Sequence, residues 1–502
     1  MKPIIKTKSR FVGILPIILL ALIASMLLSS CVPESTVEEA SCPYPTYEEF
    51  LSANKGKTPI MWYMNSLMTD DMPLNQVNEY LNSLGKEYAV YIKGYHESKD
   101  MLSILLSDIE AGRQVDIIST AAVDITREGF TSAYHHYSYQ GYFLPISDYL
   151  KNTEPGKALY DLMPSGYWQS LDVNGEIYGL TSHGVKGSGL GYAVNKKLAD
   201  KYGYDPRKSI YEQIDIIEKV QNDMQAKLYE DESYTACTLW ADLAYPVYQP
   251  NSICCLFGAY YDKDSDTIRR ITEDKDWLEH VRLVNTLARD VGVGLQDDNP
   301  ERLESFVTIT TCEGYAIPEW GSVGEYGRGT PEAYLYFSDA PYTSVLTATG
   351  ICSGSKNADM AFDFLATAKL DEYLNNLISF GNIQPNEDGT MPMEALGGRA
   401  LDFPNKLIAR PMEYEGAGYR EWYREALCGE LPECWGFAFD VRPVIEEHKK
   451  VINWFFSFSF RQDIPYDELI QRLDDRLTEA GVDKIIEEAN RQYSEWKTHQ
   501  AK

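Results

Sequence analysis

Hydrophobic positions change their period several times along this chain, and the changes mark its elements. "PIMWYMNSL" at 59–67, "YAVYI" at 88–92 and "VDIIS" at 115–119 are short apolar runs rich in Ile, Val, Tyr and Trp, a pattern that predicts strands. Between them Leu74, Val77, Leu81 and Leu84 recur at helical spacing up to Gly85, and Leu102, Leu105, Leu106 and Ile109 do so up to Gly112. Strand, helix, strand, helix, strand predicts a doubly wound α/β unit. Ligands of such sheets sit beyond the carboxyl ends of the strands, which points to Asn65, Tyr95 and Thr120. After residue 195 the pattern repeats more loosely, with helices over 207–229 and 276–290 and strands near 236–240 and 306–311, so a second α/β lobe is expected. The last hundred residues read as helical: Pro443 opens one helix, Leu469, Leu473 and Leu477 line another, and a third from Val482 to Lys497 turns Ile485, Ala489, Tyr493 and Trp496 inward.

The amino terminus follows a different rule. Lys2, Lys6, Lys8 and Arg10 precede an apolar run from Phe11 to Leu28, and Ser29-Ser30-Cys31 follows. A basic start, an apolar stretch and small residues make an export signal. Small residues directly before a cysteine mark a bacterial lipoprotein, acylated on Cys31. About eighteen apolar residues could also just span a bilayer, the alternative being an uncleaved anchor. No later run of the sequence is long and apolar enough to cross a membrane, so the lipid is the expected contact, and two or three acyl chains hold stably. "VPESTVEEASCPYP" at 32–45 lacks periodicity and reads as a tether. The remaining ~455 residues exceed what one core usually holds. The expected organisation is a signal over 1–30, a tether over 31–54, a first lobe from 55–183 plus 340–385, and a second from 184–339 plus 386–502.

Charge narrows the class of partner. The chain carries 46 Lys and Arg against 75 Asp and Glu, a net charge of -29. Nucleic acid and anionic membrane surfaces need basic patches, so neither is an expected partner. Of the nine cysteines, Cys31 is assigned to the lipid. The other eight form no C-x-x-C pair and no metal spacing. Either some are oxidised, Cys428 and Cys434 being near in sequence, or all are small buried thiols.

The stretch "GEIYGLTSHGVKGSGLGYAVNKKL" at 175–198 holds six glycines. Gly179 and Gly184 bracket four residues as in a phosphate loop, but Val185 stands where lysine is needed. Gly187-Ser-Gly-Leu-Gly191 lacks the third glycine of a dinucleotide fingerprint. Backbone freedom at a hinge, together with lining of a cleft, explains the glycines better.

These segments resemble family 1 of the bacterial extracellular solute-binding proteins, the receptors of sugar-type ABC importers. "VDIISTAA" followed by "GYFLPISDYL" is similar to the family's strand, loop and helix start. "VNGEIYGLTSH" and "YAVNKKLADKYGYD" resemble the first crossing between lobes, and "GICSGSKNADMAFDFLATA" the return. "CWGFAFDVRPVIEEHKKVIN" and "AGVDKIIEEANRQYSEWK" are similar to the ending of a lipoprotein subgroup common in Firmicutes. The run spans roughly residues 55 to 498 in the expected order. Thr181 departs from it, since the family often has proline there, and this puts the rigidity of the crossing in question.

The resemblance implies a two-lobed periplasmic-binding-protein-like fold, doubly wound sheets joined by hinge crossings, a carbohydrate ligand and an ABC permease as partner, with no cofactor, no metal and no catalysis. Aromatic residues with polar tips dominate, 36 Tyr and 9 Trp against 17 Phe. Aromatic faces stack on the C–H faces of sugars while carboxylates and amides bond their hydroxyls. Trp240, Asp242 and Tyr248 lie in what resembles the second lobe's binding loop, Glu319 and Trp320 follow the strand "FVTITT", and Trp435 stands where the family tends to set an aromatic over the ligand. Asn65, Tyr95, Asp124 and Ser188 would add polar contacts, and Thr120 completes the set. A non-sugar solute such as a peptide or modified glycan is the alternative ligand, and a surface glycosidase the alternative class, although no marker of a carboxylate pair stands out.

Two other motifs carry less. "DKDSDTIRRITE" at 262–273 sets Asp262, Asp264, Asp266 and Glu273 at positions 1, 3, 5 and 12 of a calcium loop, but Thr267 occupies the glycine position. A hairpin around a polar turn fits it better. His135 and His136 are adjacent and face different ways, without any H-E-x-x-H or G-x-S-x-G motif in the chain.

Overall fold

The computed structural model describes residues 46–65, 73–95, 98–120, 132–181, 189–205, 208, 210–228, 256–289, 307–312, 322–325, 332–337, 347–392, 395, 403, 405–412, 420, 424, 428, 433–457 and 464–500. Cys31 and its flanks lie outside them. A first helix, α1 (Tyr47–Ala53), is closed by a capping box in which the Thr46 hydroxyl accepts the Glu49 N–H and the Glu49 carboxylate reaches back. The alternation expected from the sequence follows: β1 (Thr58–Asn65), α2 (Leu74–Ser83), β2 (Tyr88–Tyr95), α3 (Ser98–Glu110) and β3 (Ile117–Ser119). Gly85 and Gly112 have φ of 75° and 67°, so each ends its helix in a conformation that other residues adopt at a cost.

β1 pairs in parallel with β2 along its whole length and with β3 at Trp62 and Tyr63. Ile60 through Met64 are all buried, as a central strand covered on both faces requires. Helices α4 (Ala133–Tyr139), α5 (Ser147–Asn152), α6 (Glu154–Leu162) and α7 (Ser165–Leu171) follow, then the short strands β4 (Asp172–Val173), β5 (Glu176–Ile177) and β6 (Gly179–Leu180). Seven further strands and several helices follow among the described residues. β7 (Gly189–Asn195), α8 (Lys196–Tyr202) and α9 (Ile214–Leu228) precede a hairpin of β8 (Ala259–Asp262) and β9 (Thr267–Arg270). α10 (Lys275–Arg289), β10 (Val307–Cys312), β11 (Ser322–Glu325), β12 (Glu332–Phe337), β13 (Thr349–Ile351), α11 (Ala358–Leu370) and α12 (Glu372–Phe380) come next. The chain ends in α13 (Ile445–Ser457), α14 (Tyr466–Ala480) and α15 (Val482–Gln500).

The first sheet has the order β2-β1-β3-β13-β6, and β13, arriving from the far side of the chain, runs antiparallel to both neighbours. The second has the order β10-β7-β12-β11 with every described pair antiparallel. Here the structure refines the doubly wound expectation: β11 and β12 are separated by six residues, too few for a parallel crossover, so they form a hairpin. The strand expected near 236–240 lies outside the described residues.

Two cores organise the described chain. The first joins the first sheet to α11 through Phe362, Phe364 and Leu365, and Trp62 packs against the rings of Phe364 and Phe403 at 5.7 and 5.1 Å. The second joins the β8–β9 hairpin to the last three helices. Leu469, Leu473 and Leu477 line α14, and Ile485, Ala489 and Tyr493 line α15, as their spacing predicts. The extended segment 434–441 lies between the cores: Trp435 belongs to the first, while Cys434, Phe437, Phe439 and Val441 belong to the second. α4 does the same from the other side, with Tyr134 and Tyr137 in the first core and Ala133 in the second.

Candidate functional site

The connections between the two sheets define the site. β6 and β13 are hydrogen-bonded neighbours ending at Leu180 and Thr349, which are register partners. β7 and β12 are neighbours in the second sheet, where Phe337 pairs with Gly191. The described strand ends that flank the outgoing and returning connections are therefore paired in both sheets. Of the six glycines in the outgoing stretch, Gly175 turns the β4–β5 hairpin at φ 87°. Gly179 lies within β6, where an added Cβ would sit 3.0 Å from the Thr349 carbonyl oxygen. Gly189 and Gly191 are in β7, and Gly184 and Gly187 lie outside the described residues. Close strand approach thus explains at least one glycine that the sequence reading gave to hinge freedom.

At the carboxyl edge of the first sheet, Asn65 and Tyr95 are register partners at the ends of β1 and β2. Thr120 follows β3, and the β1–β3 register carried two residues further sets it beside Asn65. The sequence brings these three together as expected. Thr120, however, is fully buried. Its amide donates to the Ala348 carbonyl at 3.0 Å, and its hydroxyl oxygen accepts the Ala348 N–H at 2.9 Å. One residue earlier the Ser119 and Thr349 hydroxyls meet at 2.6 Å, and the Trp62 indole N–H donates to Ser119. The side chain expected at a ligand instead anchors the returning crossing.

Trp435 is 7 % exposed and its indole N–H donates to the Gly166 carbonyl at 2.9 Å. The described contacts make it a strut between α7 and the 434–441 segment, so the aromatic platform expected there is largely buried. Asp124, Ser188, Trp240, Asp242, Tyr248, Glu319 and Trp320 lie outside the described residues.

Two tyrosines that the sequence reading passed over hold the outgoing crossing. The Tyr167 hydroxyl, from α7, donates to the Thr181 carbonyl at 2.9 Å and accepts the Thr181 N–H at 3.1 Å. The Tyr134 hydroxyl, from α4, donates to the Leu171 carbonyl at 2.6 Å and accepts the Tyr178 N–H at 3.0 Å. Burial pushes both phenols far above the usual range, so each remains a neutral O–H that both gives and takes. Lys369, buried on α11, reaches the Phe403 carbonyl and stands 3.5 Å from that of Thr181. No periodicity marks Tyr134 or Tyr167 among 36 tyrosines.

The remaining candidates resolve locally. His135 and His136 are both buried on α4, and burial lowers the His136 pKa to about 4, leaving it neutral near pH 7. Cys352, Cys428 and Cys434 carry free thiols, so Cys428 and Cys434 are not bonded to each other. Burial pushes the Cys434 thiol up to about 12. A groove of about 560 Å³ between α10 and α14 has Tyr466 under the Arg282 guanidinium, but it contains no residue expected at a ligand site.

The 262–273 loop is the expected hairpin. Asp262 accepts from Ser265 and Arg269, while Asp266 accepts from the Tyr261 and Tyr493 hydroxyls at 2.9 and 2.7 Å and pairs with Lys497. Among the described residues no group of three or more His, Cys, Asp or Glu could hold a metal ion. With Lys497 already against Asp266, millimolar calcium is expected to leave the melting temperature unchanged, and a calcium-dependent rise in a thermal scan would contradict that.

Comparison with known proteins now adds to this geometry. Residues 433–498 match a family described as a domain of unknown function, DUF3502. No curated protein matches the sequence. Among solved structures, the N-glycan transport solute binding protein NgtS from Streptococcus pneumoniae superposes with a TM-score of 0.66 at 18 % identity, covering 88 % of this chain and 100 % of that one. The same protein in complex with Man5GlcNAc gives 0.56 at 18 % identity, over 88 % and 99 %. The S. pneumoniae ABC-transporter substrate binding protein FusA, in complex with kestose, gives 0.51 at 11 % identity, over 88 % and 100 %. The chain has the two-lobed fold of solute-binding proteins. The DUF3502 match begins at Glu433, beside the segment that spans the two cores.

Proposed function

We propose that this chain is the lipid-anchored binding protein of an ABC importer, tethered through Cys31 on the outer face of the membrane, which captures an oligosaccharide between two lobes and delivers it unchanged to the permease. The observation that carries the reading is the pairing of the strand ends that flank both connections, β6 with β13 in the first sheet and β7 with β12 in the second. Lobes joined in this way close about a cleft. A ligand that touches both lobes only in the closed form shifts a pre-existing equilibrium toward it. The printed names of the similar structures, an N-glycan transporter component and a kestose-bound protein, support a carbohydrate. Asn65 and Tyr95 would supply polar contacts from the first sheet's edge, joined by Asp124 and Ser188, while Trp240, Asp242, Tyr248, Glu319 and Trp320 would contribute from the second lobe. Trp435, largely buried, would contribute little surface.

The test is titration calorimetry against mannose-containing N-glycan fragments and fructo-oligosaccharides, followed by analysis of the recovered sugar. Saturable binding with intact ligand is expected. Released monosaccharides would favour a glycosidase, and no binding to any glycan in the panel would remove the carbohydrate reading.

A further inference from the structure

We infer that Tyr167 is a positioning residue for lobe closure, fixing the point in the chain at which the outgoing crossing begins. This deepens the binding-protein reading and rests on it for its functional meaning. β6 is only two residues long and, among the described residues, stands at the sheet's edge with a strand partner on one side alone. An edge strand this short holds poorly by itself. Its flanking residues are tied by other means: the Ile177 carbonyl accepts the Ile146 N–H, the Tyr178 N–H goes to Tyr134, and both polar groups of Thr181 go to Tyr167. The Tyr167 phenol therefore holds both backbone polar groups of Thr181, the last described residue before the crossing, with Lys369 also approaching the carbonyl. Thr181 is itself 3 % exposed, so water is a poor substitute for that hydroxyl.

The returning crossing ends in a matching way, with both polar groups of Ala348 held by Thr120. The two anchors face each other across the Leu180–Thr349 pair. Tyr167 also shares α7 with Gly166 and Gln169, against which Trp435 and Gly436 are seated. A change in the position of this helix would therefore be felt at the outgoing crossing and at the link between the cores together. With the anchor intact, the start of the crossing is fixed at Thr181; without it, that point slips back into the sheet edge.

The control is Tyr134→Phe, which removes an equally buried hydroxyl with the same give-and-take pattern three residues upstream of the crossing. In ligand-free Tyr167→Phe protein, hydrogen exchange of the peptide containing Thr181 is expected to be about tenfold faster than in the wild type, since the buried Thr181 N–H loses the Tyr167 hydroxyl. Solution scattering of the same ligand-free variant should differ from wild type, whereas that of Tyr134→Phe should overlay it. Equal scattering for all three proteins, or equal exchange at Thr181 in the two variants, would overturn the inference. Should Tyr167→Phe fail to fold, the wild type still tests the idea, because a rapidly exchanging Thr181 amide there would contradict an anchored start. These readouts need no ligand, so failure of the glycan titrations would refute the carbohydrate reading without touching this one.

Discussion

Asp108→Asn is expected to lower stability by about 2–3 kcal/mol near neutral pH, with the loss shrinking in acid. The Asp108 carboxylate, on α3, has a side chain only 4 % exposed. It accepts from the Tyr63 hydroxyl at 2.6 Å, from Lys93 at 2.8 Å and from Arg113, joining the central strand β1, its neighbour β2 and the loop after α3. Burial works to raise its pKa, but the bonds from Lys93, Tyr63 and Arg113 outweigh it and hold the carboxyl below the ordinary range. Arg113 is more than half exposed, so its share is small. Asparagine keeps the shape while removing the charge, and leaves a half-buried ammonium facing a neutral amide. A carboxyl depressed in the folded state stabilises fully above its unfolded pKa of about 3.9 and loses that contribution as pH falls toward the folded value. Denaturant midpoints of both proteins between pH 7 and pH 3 should therefore converge below about pH 4. A variant as stable as wild type at pH 7, or a gap that widens in acid, would contradict the argument.

Most of the first lobe and the terminal helices were legible because their signals are local. The apolar run at 60–64 can be buried only as a central strand, and Leu469, Leu473 and Leu477 share one helical face whatever lies beneath it. The second sheet was less legible. "FVTITT" reads as a strand, while the strand "EAYLYF" was not singled out, and the antiparallel order of both depends on a partner more than a hundred residues away in sequence. The 262–273 loop shows the benefit of weighing turn chemistry against a motif, since the carboxylates that count as calcium positions are paired with Arg269 and Lys497.

The site was legible by topology but not by side chain. Strand ends correctly brought Asn65, Tyr95 and Thr120 to one edge, yet nothing in the sequence tells a hydroxyl that meets a ligand from one that closes a turn of backbone, and Thr120 is the second kind. Thr181 shows the same limit in reverse. Its departure from the family's proline questioned the rigidity of the crossing, but proline has no N–H, whereas Thr181 gives its own to Tyr167. Rigidity is supplied from α7, a partner fourteen residues away that no spacing rule identifies.

A large effect of a single methyl group is expected at Gly436. Its φ of 86° is a left-handed conformation that costs another residue about 1–2 kcal/mol. An added Cβ would also stand 2.6 Å from the Gln169 carbonyl oxygen and 3.3 Å from its carbon. Those atoms belong to the backbone of α7, where no flexible side chain can move aside. Gly389 isolates the first effect, with φ of 87° and nothing within 4 Å of an added Cβ. Gly389→Ala should therefore cost about 1 kcal/mol and Gly436→Ala about 3 kcal/mol or more, because only the second must push a helix away. The displaced segment carries Trp435, whose indole N–H would part from Gly166 and become wetter. Denaturant titrations with tryptophan fluorescence read both consequences: a lower midpoint and a red-shifted native emission for Gly436→Ala, with neither shift of that size for Gly389→Ala. Equal losses in the two variants would mean that α7 yields easily, and a yielding α7 could not hold the start of the outgoing crossing through Tyr167.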